Sequence, residues 1–493
     1  MSRGGLTAAL RSPSDRARRR LRGVLLTGAV LAAAAAPGAG QAVGRAAIES
    51  LEYDPLRFEQ PAVAHWEVED VEVILLEDRQ LPLVSVYAYF RGGYGLFDRE
   101  HYAAAMGLPA LMRYGGTTAR DPERVDESID RLALQVSFGS SGGNVTSSIN
   151  TLTEHLPAAL DVWGEMLASP GFAANEIEAW RGRQLESTLR RLDDPTRLAF
   201  SELNRLLFGD HPVGWEMDAD DLLPERLTAE RFGWVHTRVI CRDNLVLGIT
   251  GDVSWTGVRP LIEGLVDRLP PCPSELPEPP VPEIRRAPGV FLIEKDIEQS
   301  VIAMAHPTSV QLADEPAYYS AMIGNSILGA GGFSSRILGR VRTEEGFAYS
   351  AGSLWTTPRR HEGIIGATTR TRPESTVPAI EVILETMRGL RDAPPTGEEV
   401  QTTVDQIVNG FVFNFDSPGQ IVSRTMYYLA QDLPEDWLER YWRGVQTVTP
   451  EGIQAVFAEH LRPEEMTILV VGDPERIGDE LTRLGPVTTL QVR

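Results

Sequence analysis

Residues 326–355, SILGAGGFSSRILGRVRTEEGFAYSAGSLW, are the stretch on which the reading of the chain turns. Residues 328–332 read as a glycine-rich turn, Ser334 or Ser335 as the cap of a helix start, and Ile337, Leu338 and Val341 as that helix's apolar face. Gly346 is a helix stop signal, and residues 348–354 read as a strand. This layout lets Arg342, near the helix end, and Tyr349, at the strand start, project into one space. The glycines do not make a phosphate cradle: Gly329-Ala330-Gly331-Gly332 has neither the Gly-Lys-Ser/Thr ending of a P-loop nor a completed G-x-G-x-x-G. Taken alone, Arg342 would be a surface charge and Tyr349 a core aromatic.

Working outward, the first half opens with two strands, 71–76 and 83–90, around the polar turn Glu77-Asp78-Arg79. Helical patterns follow at 102–114 and 125–132, a strand at 144–150, and long helices at 156–168 and 174–192, the last ending near Asp193-Asp194-Pro195. Helices at 200–208 and 228–239 and a strand at 244–250 complete the half. Residues 269–288, LPPCPSELPEPPVPEIRRAP, are too rich in proline for helix or central strand and read as an extended linker. The halves on either side are copies. Gly251-Asp252 matches Gly472-Asp473 at an offset of 221 residues, and Thr228-x-Glu230, Pro157-Ala158 and Gly142 match Thr449-x-Glu451, Pro378-Ala379 and Gly363 at the same offset. The expected organisation is therefore a leader (1–42), a first domain (43–268), the linker (269–288) and a second domain (289–493).

The leader reads as an export signal: five arginines between Arg16 and Arg22, an uncharged run at 23–36, and small residues at Ala39 or Ala42 for cleavage. That run is shorter than a membrane span requires. The paired arginines fit twin-arginine export poorly, and an uncleaved anchor or basic tail is the alternative. The leader holds seven arginines and one aspartate, so its removal takes the net charge from −22 to −28. Such a surface repels nucleic acid and attracts basic peptides, or serves solubility alone. The remaining composition, 42% hydrophobic and 24% charged, is that of a globular protein. Cys241 and Cys272 are the only cysteines; in an exported chain they can pair, but sequence alone does not establish the bond.

Gly331-Gly332-Phe333-Ser334-Ser335-Arg336, then Arg342, then Gly346-Phe347-Ala348-Tyr349, resembles the C-terminal-half motif of the pitrilysin/insulinase family of zinc peptidases. The related mitochondrial processing peptidase and cytochrome bc1 core subunits share this pattern. The resemblance covers residues 50 to 480 or so. It implies an α+β fold of two tandem duplicated domains, each a sheet covered by helices, closing like a clamshell around an unfolded peptide. It also implies that Arg342 and Tyr349 bind the substrate from the half opposite the zinc.

In active relatives the first half carries Gly-Leu-Ala-His-x-x-Glu-His followed by Gly-Thr. Here the corresponding residues are Gly107-Leu108-Pro109-Ala110-Leu111-Met112-Arg113-Tyr114 and Gly116-Thr117. Ala110 has no donor atom, Arg113 is permanently cationic and opposes a divalent metal, and Tyr114 puts a phenol in place of the second imidazole. Glu186 lies near the downstream ligand position, where alone it binds nothing and reads as a solvated helix residue. None of the eight histidines pairs with another at ligand spacing on one helix, and no Gly-x-Ser-x-Gly elbow occurs. The expectation is a chain with no catalytic and no metal-binding residues of its own: an exported, substrate-binding subunit whose homologous partner carries the zinc. Two alternatives remain, a structural or peptide-binding protein with no proteolytic role and a hydrolase with an unrecognised site.

Overall fold

The computed structural model describes residues 59–492, and the expected leader lies outside them. The chain forms two six-stranded mixed sheets. The first contains β1 (Ala64–Val68), β2 (Val71–Glu77), β3 (Leu83–Arg91), β4 (Gln135–Ser140), β5 (Asn144–Leu152) and β6 (Leu245–Gly251), in the order β1-β2-β6-β3-β5-β4. The second contains β7 (Gly289–Glu294), β8 (Ser300–Thr308), β9 (Ala351–Trp355), β10 (Gly363–Thr371), β11 (Thr467–Gly472) and β12 (Val487–Thr489), in the order β12-β7-β11-β8-β10-β9. Five strands correspond one to one: β2 pairs parallel with β6 as β7 does with β11, and the remaining neighbours are antiparallel in both sheets.

The sixth strands do not correspond. β1 precedes β2 and runs antiparallel to it, whereas β12 comes from the chain's last described residues and runs parallel to β7. The offset between copies also drifts. β3 and β8 begin at Leu83 and Ser300, 217 residues apart, while α6 (Ala229–Val239) and α14 (Pro450–His460) begin 221 apart. The Thr228 and Gly251 anchors lie late in the repeat, where the larger offset holds, whereas β5 and β10 begin at Asn144 and Gly363, 219 apart, so Gly142 and Gly363 are not structural counterparts.

The first-half helices are α1 (Arg99–Tyr114), α2 (Pro122–Arg131), α3 (Leu156–Ala168), α4 (Ala174–Arg191), α5 (Pro195–Phe208), α6, and α7 (Trp255–Val266). The second half has α8 (Pro316–Asn325), the one-turn α9 (Arg336–Leu338), α10 (Thr376–Asp392), α11 (Gly397–Gly410), α12 (Pro418–Ala430), α13 (Trp437–Gln446) and α14. α5 starts five residues before the expected Phe200, because the Asp194 carboxylate accepts from the amides of Thr196 and Arg197 and Pro195 sits where no amide is needed. Strands β1 and β4 are additions to the sequence reading. Both are edge strands with little burial, so neither carries a strong apolar alternation.

Most helices cover one face of their own sheet, and one helix from each half crosses to cover the other half's sheet. Leu198, Leu203 and Leu207 of α5 pack on Val301 and Ala303 of β8 and on Leu469 of β11. Reciprocally, Val422 and Met426 of α12 pack on Ile74, Tyr89 and Val246 of the first sheet. Burial on both faces explains why β8 and β11 are apolar runs with no alternation. It also fixes Gly248: a Cβ there would lie 2.3 Å from Met426 Sδ and 2.4 Å from Val422 Cγ1. The two halves thus form one compact unit. Residues 270–288 carry no helix or strand, and Cys272 within them is disulfide-bonded to Cys241, 31 residues earlier.

Candidate substrate-binding site

The Arg342 stretch differs from its expected local form. Of the expected turn at 328–332, residues 328–330 instead continue α8 within a π-helical turn, Ser326–Ala330, that lays Gly329 against β9, and the chain turns at 331–334. A Cβ on Gly329 would sit 2.2 Å from the Ser353 amide nitrogen, so only glycine permits the approach. Ser335 occupies the N-cap of α9, but its hydroxyl donates back to the Gly332 carbonyl at 2.6 Å and accepts no helix amide. α9 continues as a second π-helical turn, Gly339–Glu344, and the chain reverses at Gly346 with φ of +66°, the left-handed region where glycine is favoured. β9 starts at Ala351, so Tyr349 stands in the connecting loop and not at the strand start.

That loop is held from three sides. The Phe347 amide donates to the Val341 carbonyl at 2.9 Å, and the Thr371 and Thr369 hydroxyls donate to the carbonyls of Phe347 and Ser350 at 2.7 and 2.8 Å. The helix below is anchored by Arg336, whose Nε and Nη2 donate to both oxygens of Glu399 at 2.7 and 2.8 Å. Glu399 also closes a capping box with Thr396 at the start of α11. The Arg336 guanidinium, followed by the bonds from Thr396, draws the Glu399 carboxyl down to about 2.

On this support the structure brings Arg342 and Tyr349 together. The guanidinium carbon lies 4.5 Å from the centre of the Tyr349 ring and 4.9 Å from that of Phe333. Both rings are 79% exposed. Among the described residues no carboxylate lies within ion-pair distance of Arg342, so its donors remain available to a ligand. Phe333 stood within the motif without an assigned role; an aromatic residue beside a glycine pair was its only signal. The Arg336–Glu399 pair spans 63 residues and left no sequence signal.

The positions corresponding to the zinc motif lie at the C-terminal end of α1. Gly107 packs under Trp180 of α4, where a Cβ would meet the indole at 2.8 Å. Arg113 Nη1 donates to Asp126 of α2 at 2.7 Å, and its guanidinium lies 4.8 Å from the Tyr114 ring. Glu186 is exposed on α4 and bonds Arg190 one turn later at 2.5 Å. The residues present do not fit a zinc ion: Ala110, with no donor atom, and Tyr114, its ring against the Arg113 guanidinium, take the two histidine places, and Arg113, a cation engaged by Asp126, takes that of the glutamate. Among the described residues no group of three His, Cys, Asp or Glu has metal-binding geometry.

Two histidines bear on the hydrolase alternative, and both are buried in structural bonds. His236 contacts the Leu167 carbonyl at 2.7 Å, and burial pushes its pKa down to about 4. His306 Nε2 accepts the Arg462 amide at 2.9 Å, which leaves Nδ1 to donate to the Pro307 carbonyl at 2.8 Å.

Known proteins resemble the chain in sequence and in fold. Residues 226–407 match the family model of the peptidase M16 inactive domain. An uncharacterized zinc protease of Streptomyces coelicolor is 23% identical over 352 residues, 70% of this chain and 75% of its own length. The non-peptidase homolog YmxG of Helicobacter pylori is 20% identical over 418 residues, 84% of this chain and 95% of its own. Among solved structures, the peptidase M16 inactive domain from Pseudomonas fluorescens superposes with a TM-score of 0.73 at 23% identity, over 83% of this chain and 98% of that one. The periplasmic protease PqqL of Escherichia coli gives 0.72 at 12% identity, over 87% of this chain and 49% of that one. By the family match over residues 226–407, the relatives and the fold, the chain is similar to the pitrilysin/insulinase-type (M16) zinc peptidases and their inactive domains.

Proposed function

We propose that the chain is the non-catalytic, substrate-binding subunit of an exported two-chain metallopeptidase that processes or degrades unfolded peptides. The observation that carries this reading is the asymmetry of the two halves. The zinc-motif positions hold Ala110, Arg113 and Tyr114, while Arg342 lies against two exposed aromatic rings with no acidic partner among the described residues. Arg342 donates to peptide carbonyls, the Tyr349 hydroxyl supplies one further donor, and the rings of Tyr349 and Phe333 pack on the guanidinium. A homologous partner bearing the intact motif supplies the zinc and its chemistry.

Export is supported by the leader pattern, by the Cys241–Cys272 disulfide, which suits an oxidising compartment, and by the likeness in fold to a periplasmic protease. No described helix is long and apolar enough to cross a membrane.

The test is to isolate the native protein with its bound chains, then reconstitute it with a partner carrying His-x-x-Glu-His and follow single-turnover cleavage of an unfolded peptide. Tyr349→Phe is expected to leave assembly intact and lower turnover by about a hundredfold, the typical cost of losing one such donor. Arg342→Ala is expected to weaken both binding and turnover. Unchanged rates in both variants would instead support a structural or peptide-binding protein, the reading favoured by the relative named a non-peptidase homolog.

A further inference from the structure

Away from the Arg342 loop, a cavity of about 600 Å³ opens where the first half, the inter-half segment and the chain's last described residues meet. Arg191, the last residue of α4, enters it and is only 8% exposed. Its Nε is fully buried without a hydrogen-bond partner, and no described carboxylate pairs with its guanidinium. Arginine stays charged in proteins, so this is a largely buried cation without a partner carboxylate, an unfavourable arrangement unless something neutralises it. The carbonyls at the end of α4 offset part of that cost through the helix dipole.

The other charges around the cavity do not supply the missing partner. Glu202 is bonded to Arg205 at 2.6 Å, Asp218 to Arg99 at 3.1 Å, and Asp210 accepts from the Trp215 indole at 2.9 Å. Glu216 lies 3.7 Å from Arg197. A second cation, Arg285 of the inter-half segment, also lines the cavity and makes no described ion pair. Its guanidinium lies against Gly209, where a Cβ would fall 2.5 Å from Cζ. Once the ion pairs are matched, Arg191, Arg285 and the indole-bonded Asp210 are left facing the cavity, a net charge of one positive.

We propose that this cavity is a binding site for a small oxyanion-bearing molecule, a phosphate or a carboxylate, held between Arg191 and Arg285. Two guanidinium forks suit either anion, and the volume admits an organic molecule larger than the anionic group itself. Because Arg191 belongs to the first half and Arg285 precedes β7 of the second, a bound anion would tie the halves together. The site is independent of the peptide-binding reading and uses none of its residues.

The experiment is calorimetric titration of the purified full chain at low ionic strength with inorganic phosphate and, separately, with succinate, using chloride as the control. Thermal melts in each anion accompany it. The expected result is saturable binding of one of the two with a dissociation constant of about 1 mM or tighter, and a raised melting temperature. Arg285→Ala, at an exposed position, should weaken that binding about tenfold. Arg191→Met should abolish it while leaving the anion-free protein as stable as the parent or more so, since the unpaired charge is gone. Binding no tighter than chloride's, or binding unchanged in both variants, would overturn the proposal. Arg191→Met lowering anion-free stability would also overturn it, because Arg191 would then be satisfied by the protein itself.

Discussion

Glu399→Gln tests whether the support beneath the Arg342 loop is as strong as its geometry indicates. The substitution keeps side-chain size and removes the charge that receives both Arg336 bonds, at 2.7 and 2.8 Å. The Glu399 carboxyl is drawn from 4.5 to about 2. At about 1.4 kcal/mol per unit that shift has a ceiling of roughly 3 kcal/mol, and solvent reaching the partly exposed pair reduces the expected loss to about 1–2 kcal/mol. The sign follows from the depressed value: the contribution is complete above the unfolded carboxyl's pKa and is lost as pH falls through 4.5 towards 2. Urea denaturation of parent and variant at neutral pH should therefore show a lower midpoint for Glu399→Gln, and the gap should close at about pH 2. A gap of equal size at both pH values would refute the electrostatic account and leave only the lost capping geometry. Equal midpoints at neutral pH would show that the pair contributes nothing.

Elemental analysis of the purified chain is expected to find no stoichiometric zinc; one tightly held ion, lost on substitution of Tyr114, would overturn the assignment of the motif positions. His236, pushed down to about 4 by burial, makes the fold lose stability as pH falls from 6.5 towards 4, by roughly 3 kcal/mol in total. Replacing His236 with glutamine should flatten stability against pH across that window in denaturation curves. Gly248→Ala should cost about 1–3 kcal/mol, because the new methyl meets Met426 and Val422 of the crossing helix; a thermal midpoint equal to the parent's would show that α12 yields freely.

The duplicated α+β plan was legible in the sequence because glycine stops, capping residues and apolar periodicity are local signals. α3, at Leu156–Ala168, fell on its expected residues for that reason. The expected loss of the zinc motif rests on the sequence alone, since Ala110 and Arg113 fail by chemical identity wherever the chain places them. Edge strands β1 and β4 were not, because an edge buries too little to impose a pattern. The exchange of α5 and α12 between the halves was hidden as well: an apolar helix face shows that something covers it, never which sheet does. The same limit applies around Arg342. Its presence and spacing from Tyr349 are properties of the sequence, whereas the contact with Phe333 depends on how the chain turns between them and the Glu399 anchor on packing between residues 63 apart. The sequence therefore determined which side chains are present and which local elements they form. Only the tertiary structure decided which distant charges meet, pairing Arg336 with Glu399 and leaving Arg191 buried without a partner, because burial and proximity are properties of the folded chain alone.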